Sequence, residues 1–252
     1  MTTDTFVDSM ALAESSGSAR RLDDQRLDGV RLSVLAWVLI LGGAVGGLLF
    51  TAIYIIEGAT RAGYSAWAQP ISALSLGPYG SVQQVNFILF GALVAASAFG
   101  WRQALKPGTG ASAFPGFRAL AGIGLIVDGI FNQDPTGGYP PGSLAATTSV
   151  HGVVHTVFAI IAITSLALGS LVLARRFLAE SAWRAWAPFA AAAGLLTIAF
   201  IALYGATLSH GAPAGLFERL AGGMYSILVA AVIVRLALQL RGQRLRSDRD
   251  SG

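Results

Sequence analysis

The chain has 252 residues, of which 54% are hydrophobic and only 12% charged, and its mean hydropathy is +0.63. A soluble domain carries about 25% charged residues, so this composition leaves too little polar surface to meet water and points instead to a bilayer, where apolar side chains face lipid. The formal net charge of +4 does not call for nucleic acid, because the basic residues lie in tails and alternate loops; the absence of cysteine excludes disulfides, thiol catalysis, iron–sulfur clusters and cysteine-ligated zinc.

Residues 1–30 are polar, contain Asp4, Asp8, Glu14, Asp23, Asp24 and Asp28, and lack the pattern of a cleaved signal peptide. They are expected to form a flexible cytoplasmic tail. A spanning helix needs roughly 20 apolar residues, and the first such run covers about Leu32 to Ile56. The loop that follows, Glu57 to Ser81, is long and holds Gly58, Gly63, Pro70, Gly77, Pro78 and Gly80. Its middle, AWAQPISALS, predicts a short helix lying at the interface or tucked into the bundle. Ser72 and Ser75 would cap turns there, the alternative being a catalytic or ligand-binding Ser72.

The second span runs from about Gln83 to Leu105 and the third from about Phe117 to Phe131, with Asp128 near its end. Asp134-Pro135 then starts a turn. The fourth span covers about Ser149 to Leu173 and opens with His151 and His155; the fifth covers Trp186 to Leu208. The sixth covers Phe217 to Leu240 and opens with Glu218, favoured by the helix dipole, and Arg219, a potential contact for an anionic substrate. Residues 241–252, RGQRLRSDRDSG, are expected to be a disordered basic tail. The fold class is therefore all-α: a bundle of six transmembrane helices over residues 31–240.

Lysine and arginine set the orientation. One set of segments holds Arg20, Arg21, Arg26 and Arg31, then Arg102, Lys106 and Arg118, then Arg175, Arg176 and Arg184, then Arg235 and the arginines of the C-terminal tail. The alternate loops share only Arg61 and Arg219. This alternation predicts both termini in the cytoplasm and a multi-pass protein of the cell (inner or plasma) membrane. Gly42, Gly43, Gly46 and Gly47 give the first helix overlapping small-xxx-small pairs. They serve packing within the bundle or, alternatively, a homodimer through helix one.

With the basic residues assigned to topology, the remaining polar ones gather at the extracytoplasmic end: Tyr64, Gln69, Ser72, Asn86, Asp128, Asn132, Gln133, Asp134, His151, His155, His210 and Glu218. His151 and His155 are four apart on one helix face, a spacing that can hold zinc, but no HExxH glutamate lies between them. Asp128, Asp134 and His210 could supply a third ligand. Asp128 could equally be a general base, a proton carrier or the partner of a histidine.

QPISALSLGPYG followed by Asn86 and Phe87, then GIGLIVDGIFNQDPTGG, then HGVVH resemble the domain-of-unknown-function 998 family of six-helix prokaryotic membrane proteins. The matching positions are Ile71, Ser72 and Leu74, then Gly129, Phe131, Asp134 and Pro135, then His151. The resemblance implies the six-helix fold and no established activity. A looser likeness to membrane hydrolases related to alkaline ceramidases and adiponectin receptors, which hold zinc with three histidines beside a serine and an aspartate, rests on residue types alone.

The sequence thus supports an integral membrane protein whose outward Asp/His cluster is structural or binds a small ligand, Gln69, Asn86, Asp134, His210 and Arg219 being the ligand-binding candidates. The alternatives are a zinc-dependent hydrolase of a lipid or amphiphile, with His151, His155 and Asp128 as ligands and Ser72 and Asp128 as catalytic residues, and a small proton-coupled transporter.

Overall fold

The structure, a computed structural model, describes residues 32–143, 148–208 and 213–250. Six helices in it are long and apolar enough to cross a membrane. They are α1 (Val34–Thr60), α2 (Gly80–Ala104), α3 (Ala113–Ile130), α4 (Val150–Ala179), α5 (Ala187–Thr207) and α6 (Ala214–Asp250). Two short 3-10 helices join them, Ile71–Ser75 between α1 and α2 and Ser181–Trp186 before α5. Residues 1–31 and His210 lie outside the described residues.

Local chemistry sets the boundaries. Ser33 caps α1 by accepting from the Ala36 amide at 3.1 Å, and it bonds Gln103 through both its amide and its hydroxyl, which ties the start of α1 to the end of α2. Ser149 caps α4 by accepting from Gly152 at 3.0 Å. α3 starts four residues before the expected Phe117, since Pro115 falls in the first turn, where the missing amide hydrogen has no intrahelical partner to lose. The C-terminal segment departs further from expectation: α6 continues as helix through Asp250, so residues 241–250 are not a disordered tail.

Consecutive helices pack as antiparallel neighbours. Glycine pairs set how closely they approach. A Cβ on Gly91 would lie 2.6 Å from the Gly122 carbonyl oxygen, and one on Gly122 2.5 Å from the Gly91 oxygen, so α2 and α3 touch backbone to backbone. On α1, a Cβ at Gly43 would meet the Ser97 Cβ at 2.9 Å and one at Gly46 a Leu93 methyl at 2.7 Å. The glycines that suggested a dimer face are thus spent on α2 of the same chain. The opposite face of α1 is exposed and apolar at every seventh residue (Val34, Leu41, Leu48 and Ile55), as a lipid-facing stripe would be.

The main core lies at the end where α1 begins and α6 finishes, here the tail end, around Ile40, Trp101, Phe114, Leu173, Trp183 and Leu228. A smaller cluster of Phe50, Ile71 and Phe87 sits at the opposite end, under the first 3-10 turn. That turn is tucked in, not interfacial, because all of Ile71–Ser75 is buried. Two basic residues assigned to loops also prove internal. Arg118 is in the second turn of α3 and only 3% exposed. Arg176 is in the last turn of α4, bonds the Leu105 and Thr109 carbonyls and pairs with Glu180 at 2.7 Å.

The glycine contacts make a paired prediction. Gly122→Ala should destabilise the bundle by about 1–3 kcal/mol through overpacking. Gly222→Ala, with nothing within 4 Å of its would-be Cβ, should be neutral or stabilise by up to about 1 kcal/mol through helix propensity. Thermal unfolding in detergent measures both.

Candidate functional site

The inserted turn organises the end of the bundle opposite the tails. Its backbone is held between opposite charges. At its start, Glu218 of α6 accepts from the Ile71 amide at 2.6 Å. At its end, Arg61 donates to the carbonyls of Leu74, Leu76 and Pro78 and pairs with Glu57 at 2.7 Å. Acid at an amide end and base at a carbonyl end is the arrangement that peptide dipoles favour. The reversal into α2 is equally tight: a Cβ on Gly80 would lie 2.3 Å from the Ser75 oxygen.

Several predicted ligand-binding residues turn out to fasten this loop. Arg219 donates to the carbonyls of Ala66, Gln69 and Gly215 and to the Tyr64 hydroxyl, with its guanidinium over the Tyr54 and Tyr64 rings. Burial pushes the Tyr64 phenol up to about 12, with Arg219 pulling the other way, so this tyrosine stays neutral. Gln69 accepts from the Ser65 amide and donates to the Gly137 carbonyl at 2.8 Å. Asn86 donates to the Phe50 carbonyl and to Gln83, both at 3.1 Å. Ser72 donates to the Gln133 side chain, and no base among the described residues accepts from it.

Asp128 and His155 do come together. Both are buried, and the His155 Nδ1 lies 3.7 Å from Asp128 Oδ1 and 2.9 Å from the Phe131 carbonyl oxygen. The carbonyl requires a proton on Nδ1. His151 goes elsewhere: it is exposed, with its ring 5.1 Å from that of Phe131. Although it shares a helix face with His155, it sits in the first turn of α4, level with the residues after α3 and not with Asp128. The expected zinc set of His151, His155 and Asp128 is not assembled, and among the described residues no three His, Asp or Glu side chains are grouped to hold a metal ion.

Asp134 serves the α4 N-terminus. Its Oδ2 accepts from the Ser149 amide at 3.0 Å. A Cβ on Gly152 would fall 2.0 Å from the same oxygen.

What the assembled cluster offers chemically is unmatched polarity. Glu57 Oε2, Gln83 Nε2, Asp128 Oδ1 and Gln133 Nε2 are buried at this end of the bundle without a hydrogen-bond partner among the described residues. Buried polar atoms are nearly always paired, so two unused acceptors and two unused amide donors at this end of the bundle stand out as exceptions. Glu57 and Gln83 escaped the sequence reading because each sits at the edge of an apolar run; the Glu57/Arg61 spacing of four was the available signal.

The Asp134 contact predicts a pH dependence. Hydrogen bonds from Ser149, aided by nearby His151, hold the Asp134 carboxyl below its ordinary range. Its contribution is therefore full above the ordinary carboxylate pKa and lost as pH falls through the lower, folded value. Asp134→Asn should lower thermal stability at neutral pH, with the deficit closing in strong acid. Gly152→Ala should mimic it, and the double variant should be no worse than either single one.

No curated protein and no solved structure matches the chain. The family described as "Protein of unknown function (DUF998)" matches residues 44–235, from the middle of α1 deep into α6 and across the whole inserted-turn cluster. The chain is a member of the DUF998 family of membrane proteins.

Proposed function

We propose that the chain is a multi-pass protein of the cell membrane with both termini in the cytoplasm, and that the cluster around the inserted turn binds a small polar ligand reaching it from outside. The orientation is supported by the two arginines that seemed to dilute the charge asymmetry. Arg61 and Arg219 are both engaged with loop carbonyls, so the inserted-turn end presents no free loop cation among the described residues. Arg102, Lys106 and Arg184 at the tail end are exposed. Lysine and arginine concentrate on the cytoplasmic side.

The ligand reading rests on one observation, the four unpartnered buried atoms of Glu57, Gln83, Asp128 and Gln133. Two amide donors and two carboxyl oxygens suit a ligand that both accepts and donates hydrogen bonds, such as a polyol, an amide or a zwitterion. Zinc-dependent hydrolysis lacks its three-ligand set among the described residues, and no observation favours proton-coupled transport over binding.

Two measurements test this. A reporter fused after Gly138 should be active outside the cell and one after Gly110 inside; the reverse overturns the orientation. For the site, Asp128→Leu removes a buried carboxyl whose Oδ1 has no hydrogen bond among the described residues and should stabilise the purified chain by about 1–3 kcal/mol. The same variant should lose a small molecule retained by the wild type in native mass spectrometry. A destabilised variant, or a wild type that retains nothing, overturns the binding role and leaves the cluster structural.

A further inference from the structure

A second polar centre lies toward the other end of the bundle. Arg118 of α3 is 3% exposed, well inside the helical region. Its Nε donates to Ser97 Oγ of α2 at 2.9 Å and its Nη1 to the Tyr225 hydroxyl of α6 at 2.5 Å, with the guanidinium also over the Tyr225 ring. Nη2 faces α1 at Gly43, where a Cβ would sit 3.0 Å from it. The arginine therefore touches four helices.

No carboxylate of the described residues is among its contacts. Along α3, Asp128 is ten residues on, about 15 Å at 1.5 Å per residue. Along α6, Glu218 is two turns from Tyr225, about 10 Å. The arginine–carboxylate ion pairs of the described residues are Arg61–Glu57 and Arg176–Glu180, and Arg118 belongs to neither. A guanidinium cannot shed its proton to escape burial, and an ionised side chain inside a membrane protein ordinarily has a counter-charge or a function.

The hydrogen-bond inventory is as one-sided as the charge. Arg118 has five N–H donors, of which Ser97 and Tyr225 take one each. Ser97 spends its own proton on the Val94 carbonyl at 2.6 Å. Tyr225, accepting from Arg118, keeps its phenolic proton free to donate. Among the described residues the centre thus holds surplus donors, one positive charge and no acid.

We propose that Arg118 and Tyr225 form an anion-binding site in the tail-end half of the bundle, taking a phosphate-type oxyanion, either the headgroup of an anionic lipid or a free ion. A guanidinium presents paired N–H groups that match two oxygens of such an anion. This site is independent of the cluster around the inserted turn.

The test uses the full chain purified in a neutral detergent. Affinity for inorganic phosphate is measured by calorimetry at constant ionic strength. Affinity for phosphatidylglycerol, against phosphatidylcholine, is measured by native mass spectrometry. The wild type should bind at least one of the two anions. Arg118→Gln should weaken that binding at least 10-fold and Tyr225→Phe several-fold, while the exposed control Arg184→Gln should leave it unchanged. A response to phosphate assigns the free ion, and a response to phosphatidylglycerol alone assigns the headgroup. If Arg118→Gln fails to fold, Tyr225→Phe decides, because it keeps the charge and most of the packing. A wild type that binds neither anion, or a Tyr225→Phe variant that binds as tightly as wild type, overturns the proposal.

Discussion

Placing irregular backbone inside a membrane bundle obliges every exposed amide and carbonyl to find a partner within the protein, because the surrounding hydrocarbon offers none. The buried turn at Ile71–Ser75 brings that obligation with it, and much of the polar sequence at its end of the molecule answers it. Glu218 meets the first amide, Arg61 the last carbonyls, and Arg219 the carbonyls of the approach. The turn in turn draws α1, α2 and α6 together, since those partners come from α6 and from the segment joining α1 to α2.

This changes how the polar residues of the chain divide. Most side chains that looked like ligands for something external are ligands for the protein's own backbone. Gln69, Asn86, Asp134 and Arg219 each complete an internal bond. What remains unmatched after these bonds are counted is small and specific. Among the described residues six buried side-chain atoms have no hydrogen-bond partner, one each from Glu57, Gln83, Asp128 and Gln133 and, elsewhere, Trp101 Nε1 and Arg235 Nε; the Arg118 guanidinium at the tail end adds a charge held only by neutral partners. The two centres differ in kind, the first carrying two carboxyls beside amides and the second a net positive charge with surplus donors.

The helices were legible because lipid imposes a length and a composition that few other environments do. All six spans and a short helix between the first two could be read from apolar runs broken by glycine and proline, but whether that helix lay at the interface or inside the bundle could not. The meeting of Asp128 with His155 was among the open alternatives, since successive antiparallel spans bring the end of one helix beside the start of the next. The divergence of His151 could not be read, because spacing on a helix says which face a residue takes but not how deep the neighbouring helix reaches. Arg118 was hidden for a related reason. A count of charges near helix ends treats every arginine as a loop arginine, and only packing shows that Gly43 and Ser97 leave room for this one inside.

The length of α6 carries a mechanical consequence. From Ala214 to Asp250 it is one continuous helix of 37 residues, about 55 Å at 1.5 Å per residue, against a hydrocarbon layer of about 30 Å. Its first turns grip the inserted turn through Glu218 and Arg219, and its last turns run on past Gly242, where the apolar span ends. Such a rod acts as a lever arm: a tilt of about 10° at Glu218 would displace the far end by about 8 Å, given the helical rise over the intervening residues. Motion at the membrane's one face would thereby be legible at the other without any change in the helix itself.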